Sequence, residues 1–413
     1  MWRELIADFL QDLRAQRTRS FLTILAITWG TIAVVLLLSF GKGLGTQMEM
    51  GLLNAGNQIL ILYGGETGMQ FEGMPKGRRI ALIEEDAVML KTAIPAIDMV
   101  SPQYRKTVQL MVGRTSSNTE CEGVNPYFEE MRRMFPTAGG RFLNEIDVVR
   151  QRRVLVLGSK IAKDLFGDAD PVGKTVMLDN MPFVLVGVMQ AKIQTSMNNG
   201  PDDERAVIPY STFRTIYGNT HVNSIVVRPL DPNAQEQLTK EIYRVLGRKY
   251  HFDAADERAI FIWDFIENAK INHQVSLGVS IFLFSVGFLT LLIAGVGVAN
   301  VMYAIVKERT REIGIRIAVG AKRNHILAQF IFQALLIAFI GGSIGLLFSW
   351  GVVSAVKLIP SDDGAMQFLG KPVLSPLIMA MTAGILAGIG LLAGFFPARK
   401  AASVDPVESL RYE

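Results

Sequence analysis

The stretch KERTREIGIRIAVGAKR, residues 307–323, is a dense island of charge in an otherwise apolar half of the chain. Back from Lys307 no Asp, Glu, Lys or Arg occurs until Lys270, and forward from Arg323 none occurs until Lys357. Uncharged apolar runs longer than about 18 residues read as membrane spans, so the island is expected to connect two of them. Its own pattern is helical. Ile313 and Ile317 lie four apart on one face, while Glu308, Arg309, Arg311, Glu312 and Arg316 occupy the rest. That predicts a short amphipathic helix on the membrane surface, its charged side open to the cytoplasm and suited to docking another protein. Ile313 and Ile317 are expected to enter an apolar groove of that partner, and Glu312 and Arg316 to pair across its rim. Gly314 and Gly320 are expected to allow close approach of the partner's backbone or to end the helix. The plainer alternative is a solvated basic loop that only sets topology.

Working outward, the 413-residue chain has a positive mean hydropathy and only 19% charged residues, which predicts a membrane protein. Segments 20–41, 273–306, 326–356 and 372–398 carry no Asp, Glu, Lys or Arg. Each exceeds the roughly 20 residues a helix needs to cross. Arg14, Arg17 and Arg19 precede the first segment, the island follows the second, and Arg399, Lys400 and Arg411 follow the fourth. Between the third and fourth, Lys357 and Lys371 are offset by Asp362 and Asp363. By the positive-inside rule both termini and the island are expected in the cytoplasm, and residues 42–272 outside. The net charge of +4 reflects these flanks rather than a nucleic-acid surface. Cys121, the single cysteine, cannot form an internal disulfide and reads as a small buried residue.

The expected fold class is a membrane protein of four transmembrane α-helices, with a large extracytoplasmic α+β domain of two subdomains between the first and second spans. Residues 1–17 are expected to form an amphipathic interfacial helix, with Trp2, Leu5, Ile6, Phe9, Leu10 and Leu13 on one face. An uncleaved first span follows at 18–41. The domain covers 42–272, with one lobe at 57–125 plus 222–272 and the other at 126–221. The second span with its stalk is 273–306, the surface helix 307–325, the third span 326–356, a short outer loop 357–372, the fourth span 373–396 and a tail 397–413. Within the domain, strands are expected at 57–63, 100–112, 119–124, 154–157, 174–178, 183–188, 224–228 and 259–263. Helices are expected at 82–93, 126–134, 161–166 and 233–246. Residues 66–79 are rich in glycine and charge and are expected to be mobile. This alternation suits an α+β or split βαβ arrangement.

One motif is a decoy. Gly167-Asp-Ala-Asp-Pro-Val-Gly173-Lys174-Thr175 resembles a phosphate-binding loop, but five residues separate the glycines where four are needed, and it follows a helix and enters a strand. It reads as a turn. The four histidines are isolated, and no nucleophile arrangement stands out, so no metal, cofactor or catalytic site is expected in this chain. The spans lack the interior charges that ion-driven carriers use as relays. They hold small residues four apart instead, at Gly295/Ala299, Gly341/Gly345, Gly384/Gly388 and Gly390/Gly394. Such pairs are expected to pack helices within a subunit or across a dimer, the alternative being ordinary membrane-helix glycine. Asn300 and Gln333 are placed to add hydrogen bonds between helices. The second uncharged segment would be about 50 Å long as a helix against a hydrocarbon core of about 30 Å. It should tilt, or project outside as a stalk.

Four stretches carry a resemblance that covers essentially the whole chain. ERTREIGIRIAVGA from Glu308, PARKAASVDPVESLRY from Pro397, LFG…DPVGK from Leu165 and RSFLTILAI from Arg19 resemble the FtsX/MacB-type permeases of the type VII ABC transporters. The resemblance implies four spans, a two-lobed periplasmic domain and a dimer with a second copy or a paralogue. It implies that Glu308, Arg309, Arg311, Glu312, Ile313, Gly314, Arg316, Ile317 and Gly320 form a coupling helix seated on an ABC ATPase, which would bind the ATP and magnesium. MacB carries its ATPase on the same polypeptide, whereas this sequence has no ATPase signature, so a separate ATPase subunit is expected. The implied setting is the bacterial inner membrane, among its lipids and with no nucleic acid. The implied function is mechanical relay of ATP hydrolysis to the periplasm, most simply in efflux of drug- or peptide-like cargo with a periplasmic adaptor and an outer-membrane channel. A lipoprotein-releasing permease and an FtsX-like transducer that activates a periplasmic enzyme are the alternatives.

Overall fold

The structure, a computed structural model, describes residues 17–192, 194, 200–359 and 370–403. It divides into two units, Met1–Gln47 with Gln274–Glu413, and Met48–His273. Among the described residues, four helices are long and apolar enough to cross a membrane: Arg17–Ala55, Phe265–Glu308, Arg323–Lys357 and Pro376–Ala402. Of the expected interfacial helix, residues 1–16 lie outside the described residues, as do 360–369 of the outer loop and 404–413 of the tail.

The expected projection beyond the membrane belongs to both of the first two helices. They have 39 and 44 residues, or about 58 and 66 Å at 1.5 Å per residue. The fourth helix runs through Pro397 to Ala402, so the first residues of the expected tail are helical.

Close approach of backbones holds the first unit together, as membrane packing requires when lipid removes the hydrophobic drive. A Cβ on Gly345 would lie 2.6 Å from Thr31 Cβ, and one on Gly341 would lie 2.9 Å from Ile27 Cβ. Thr28 Oγ1 donates to Gly341 O at 3.1 Å across the same crossing. Gly390 and Gly394 face Ala338 and Ala334, and Gly295 faces Ile389. Ala299 is half-buried against the same cluster. Gly384 and Gly388 differ: a Cβ there would meet nothing within 4 Å. The spacing alone predicts contact, but these two lie off the helix crossings. Gln333 is buried, whereas Asn300 is exposed on its helix.

The second unit is α+β. Its strands are β1 Leu60–Gly64, β2 Ile97–Val112, β3 Thr115–Val124, β4 Val154–Leu157, β5 Thr175–Leu178, β6 Met181–Val188, β7 Arg205–Pro209, β8 Ser224–Pro229 and β9 Ile260–Asp264. They hydrogen-bond in the order β3-β7-β4-β6-β5-β2-β8-β1-β9, and β2 also pairs with β3. That extra pairing closes β2-β3-β7-β4-β6-β5 into a ring. β2 is the bridge between lobes. Its first half, Ile97 to Gln103, pairs with β8, and its second half, Tyr104 to Val112, pairs with β3. The hairpin residues 104–124 thus belong to the sheet of the 126–221 lobe rather than to the lobe of 57–125.

Among the described residues, β7, the helices Glu145–Val149 and Tyr210–Tyr217 and the 3-10 turn Asp202–Glu204 escape the sequence pattern. β7 reads Arg-Ala-Val-Ile-Pro, opening on a charge and closing on a proline, yet all five residues are buried. Residues 66–79, expected to be mobile, are tied down. Thr67 N–H donates to Arg78 O at 2.9 Å and Ile80 N–H to Gly65 O at 2.8 Å. Asp256 Oδ2 accepts from Gly68 N–H at 2.7 Å and Met69 N–H at 3.1 Å. The decoy loop leaves the helix Ser159–Phe166 and enters β5, the reverse of a phosphate-binding loop. Lys174 Nζ lies 5.4 Å over the Phe166 ring.

Gly345→Ala should therefore lower stability by about 1–3 kcal/mol, because the new methyl meets the Cβ of Thr31 and the carbonyl of Thr28. Gly384→Ala, with open space, should leave it unchanged or raise it by up to about 1 kcal/mol through helix propensity. Unfolding of the detergent-solubilised full chain checks the pair.

Candidate functional site

The charged island folds as a helix, Thr310–Ala318, set off from the second long helix by a break at Arg309. Thr310 Oγ1 donates to Val306 O at 3.0 Å, which occupies a carbonyl left open where the long helix ends. The far end is a glycine cap. Ala321 N–H donates to Arg316 O and Gly320 N–H to Ile317 O, both at 3.0 Å, with Gly320 at φ +101°. This is the paired-bond termination that favours glycine. Of its two expected roles, Gly320 takes the one that ends the helix.

The face of this helix is not the one expected. Ile313 is 4% exposed and packs in a cluster that includes Ile326 and Phe330 of the third long helix. Gly314 is buried beside it and Ile317 is half-buried. Ile313 therefore cannot anchor a partner's groove, since its surface is already spent inside this chain. Arg316 is engaged as well. Its Nη2 donates to Glu312 Oε1 at 2.6 Å and its Nη1 to Gln329 Oε1 at 3.2 Å. Gln329 is buried in the third helix, so the pair expected across a partner's rim is internal. Arg309 Nε lies 3.9 Å from Glu312 Oε2. Glu308 lies 3.8 Å from Arg19 of the first helix, but both side chains are more than half exposed, so that contact contributes little.

The outward side carries Arg311, Glu312, Ile315 and Val319. Ile315 is 45% exposed and Val319 85%. They are four apart, like Ile313 and Ile317, and so form a second apolar pair on a different face. Isoleucine at 313, 315 and 317 made the sequence ambiguous, and the third and fourth spanning helices decide which side is covered. Among the described residues no group of three His, Cys, Asp or Glu converges as a metal site.

Comparison with known proteins places this helix in a wider pattern. The family described as MacB-like periplasmic core domain matches residues 20–245, and the one described as FtsX-like permease C-terminal matches residues 284–406. The chain belongs to the FtsX/MacB-type ABC transporter permeases. The permease is 31% identical over 414 residues to the macrolide export ATP-binding/permease protein MacB of Wolinella succinogenes, covering 98% of this chain and 60% of that protein. It is 31% identical over 422 residues to the pyoverdine export ATP-binding/permease protein PvdT of Pseudomonas syringae pv. tomato, covering 100% of this chain and 60% of that protein. The chain thus spans about 60% of the length of these relatives. Among solved structures, the periplasmic region of MacB from Actinobacillus actinomycetemcomitans aligns at 21% identity and a TM-score of 0.41, covering 53% of this chain and 94% of that one. Four membrane helices and an extracytoplasmic α+β domain follow the family's plan, and the surface helix lies within the permease segment.

Replacing Ile313 by Asp should cost several kcal/mol of stability, because the charge has no buried partner. Ile315→Asp, on the open face, should shift it by about 0.5 kcal/mol or less. Thermal unfolding of the purified full chain distinguishes the two.

Proposed function

We propose that this chain is the membrane permease of an ABC exporter, and that the helix Thr310–Ala318 is its coupling helix. The observation that carries this reading is the division of that helix into two faces. Ile313 and Arg316 bind it to the permease's own third helix, while Ile315 and Val319 stand outward beside Arg311 and Glu312. An exposed apolar pair at i and i+4 with flanking charge suits a helix laid in a partner's groove. The partner is an ABC ATPase, on another polypeptide or on another segment of a longer one, and it holds the ATP and magnesium.

The second long helix supplies the mechanics. It is continuous from Phe265, which is buried in the extracytoplasmic core, to Glu308, with only Arg309 between it and the coupling helix. Nucleotide-driven displacement of the coupling helix is relayed along it to the outer domain, where cargo is expelled or handed over. The membrane is the bacterial inner membrane, with both termini in the cytoplasm, in keeping with the basic flanks. The permease works as a dimer, with a second copy or a paralogue. The names of its relatives, macrolide and pyoverdine exporters, favour drug- or peptide-like cargo passed to an adaptor and an outer-membrane channel.

Co-purification with a co-expressed ABC ATPase tests the docking face. Ile315→Asp and Val319→Asp should weaken capture at least roughly tenfold, because each places an unpaired charge in a buried contact. Arg311→Ala, at a solvated rim, should cost about 1 kcal/mol or less. ATPase retained at the parent's ratio by both Asp variants would refute the docking assignment.

A further inference from the structure

The end of the first spanning helix enters the core of the outer domain, where Leu52 and Ala55 are buried with Phe128, Met131, Met134 and Phe265. A helix leaves its last carbonyls without intrahelical donors. Here Asn54 O accepts from Lys192 Nζ at 2.8 Å, and from Gln194 Nε2 at 3.4 Å. The same ammonium donates to the carbonyl of Arg132, which ends the short helix Phe128–Arg132. It also pairs with Asp202 Oδ2 at 2.7 Å. An ammonium has three N–H donors; here they face the carbonyls of Asn54 and Arg132, with Arg133 O further off at 3.4 Å, while the charge is answered by Asp202. The side chains of Lys192 and Asp202 are 11% and 1% exposed.

The contact continues inward. Asp202 Oδ1 accepts from Arg132 Nη2 at 2.8 Å and lies 3.7 Å from Arg205 Nε. Arg205 of β7 pairs with Glu122 of β3, and both strands belong to the closed ring. A line of buried charge thus runs from the end of a spanning helix into the ring. Burial pushes the Lys192 ammonium down to about 8 against the pull of Asp202. Burial pushes the Asp202 carboxyl up, yet Arg132, Lys192 and Arg205 together hold it below its ordinary value. Such a cluster is a poor device for stability alone, since an apolar replacement of equal volume is often as stable. What it supplies is direction: hydrogen bonds to two helix ends and an ion pair to Asp202, in the turn that leads into β7.

We infer that Lys192 is a positioning residue that fastens the end of the first spanning helix to the closed-ring lobe, so that displacement of the helix is handed on through Asp202, Arg205 and Glu122. The fastening is independent of the exporter reading, whereas the handover rests on it.

Hydrogen exchange on the full chain in lipid nanodiscs tests both. In Lys192→Met, peptides covering 52–57 and 131–134 should exchange roughly tenfold faster or more, while those covering β4 keep the parent's rate. The triple variant Arg132→Met/Lys192→Met/Asp202→Leu, which removes the ammonium together with its charge partners and leaves Arg205 with Glu122, should recover unfolding temperature relative to Lys192→Met but not the slow exchange at 52–57. Unchanged exchange at 52–57 in Lys192→Met, equal acceleration across the whole domain, or recovery of slow exchange in the triple variant would each overturn the fastening. In the complex with a co-expressed ABC ATPase, added ATP should alter exchange at 205–209 in the parent and not in Lys192→Met. An ATP response kept in full by the variant overturns the handover. A parent without any ATP response removes the exporter reading and the handover with it, and leaves the fastening standing.

Discussion

Burial of Ile313 in the cluster formed with the third and fourth spanning helices is the contact on which the placement of the helix Thr310–Ala318 depends. It fixes the roll of the helix Thr310–Ala318 about its own axis. Once that roll is set, Arg316 reaches Gln329, Gly320 can turn the chain back toward Arg323, and Ile315 and Val319 are left outward. A helix attached by only a charged loop could rotate under load. One pinned by a buried isoleucine and a guanidinium bonded to a buried amide moves with the bundle it sits on.

The two units solve their polar problems differently. The first unit keeps charge out of the spans and gains its cohesion from backbone proximity, with glycine at 341, 345, 390 and 394 admitting neighbouring helices. The second unit tolerates buried charge and uses it where segments distant in sequence must meet. Arg205 pairs with Glu122 inside the closed ring. Arg228 of β8 holds Asp98 at 2.6 Å and Glu130 at 3.3 Å, joining the open sheet to the helix Phe128–Arg132. β2, sixteen residues long, belongs to both sheets and makes the lobes one body.

Much of this plan was legible in the sequence. Four uncharged runs and the basic residues beside them mark the spans, because exclusion of charge from hydrocarbon is a local rule. Most strands and helices of the outer domain follow period and composition for the same reason. The failures share one physical cause, which is that the deciding partner is far away in sequence. Isoleucine at 313, 315 and 317 offers two faces, and Ile326 and Phe330 choose between them. Gly384/Gly388 and Gly390/Gly394 have one spacing, and only the second pair meets another helix. Asp256 orders the glycine-rich residues 66–79 from nearly two hundred positions away. β7 is concealed because its first residue is an arginine whose charge is answered by Glu122.

The proposal's central claim is that one face of the helix Thr310–Ala318 belongs to the permease and the opposite face to an ABC ATPase. Site-specific photo-crosslinking in intact cells tests it most directly, with a photoreactive side chain placed singly at 313, 315, 317 and 319. Positions 315 and 319 should give an adduct containing an ABC ATPase, and position 313 should give only products within the permease. An ATPase adduct from 313, with none from 315 or 319, would contradict the account.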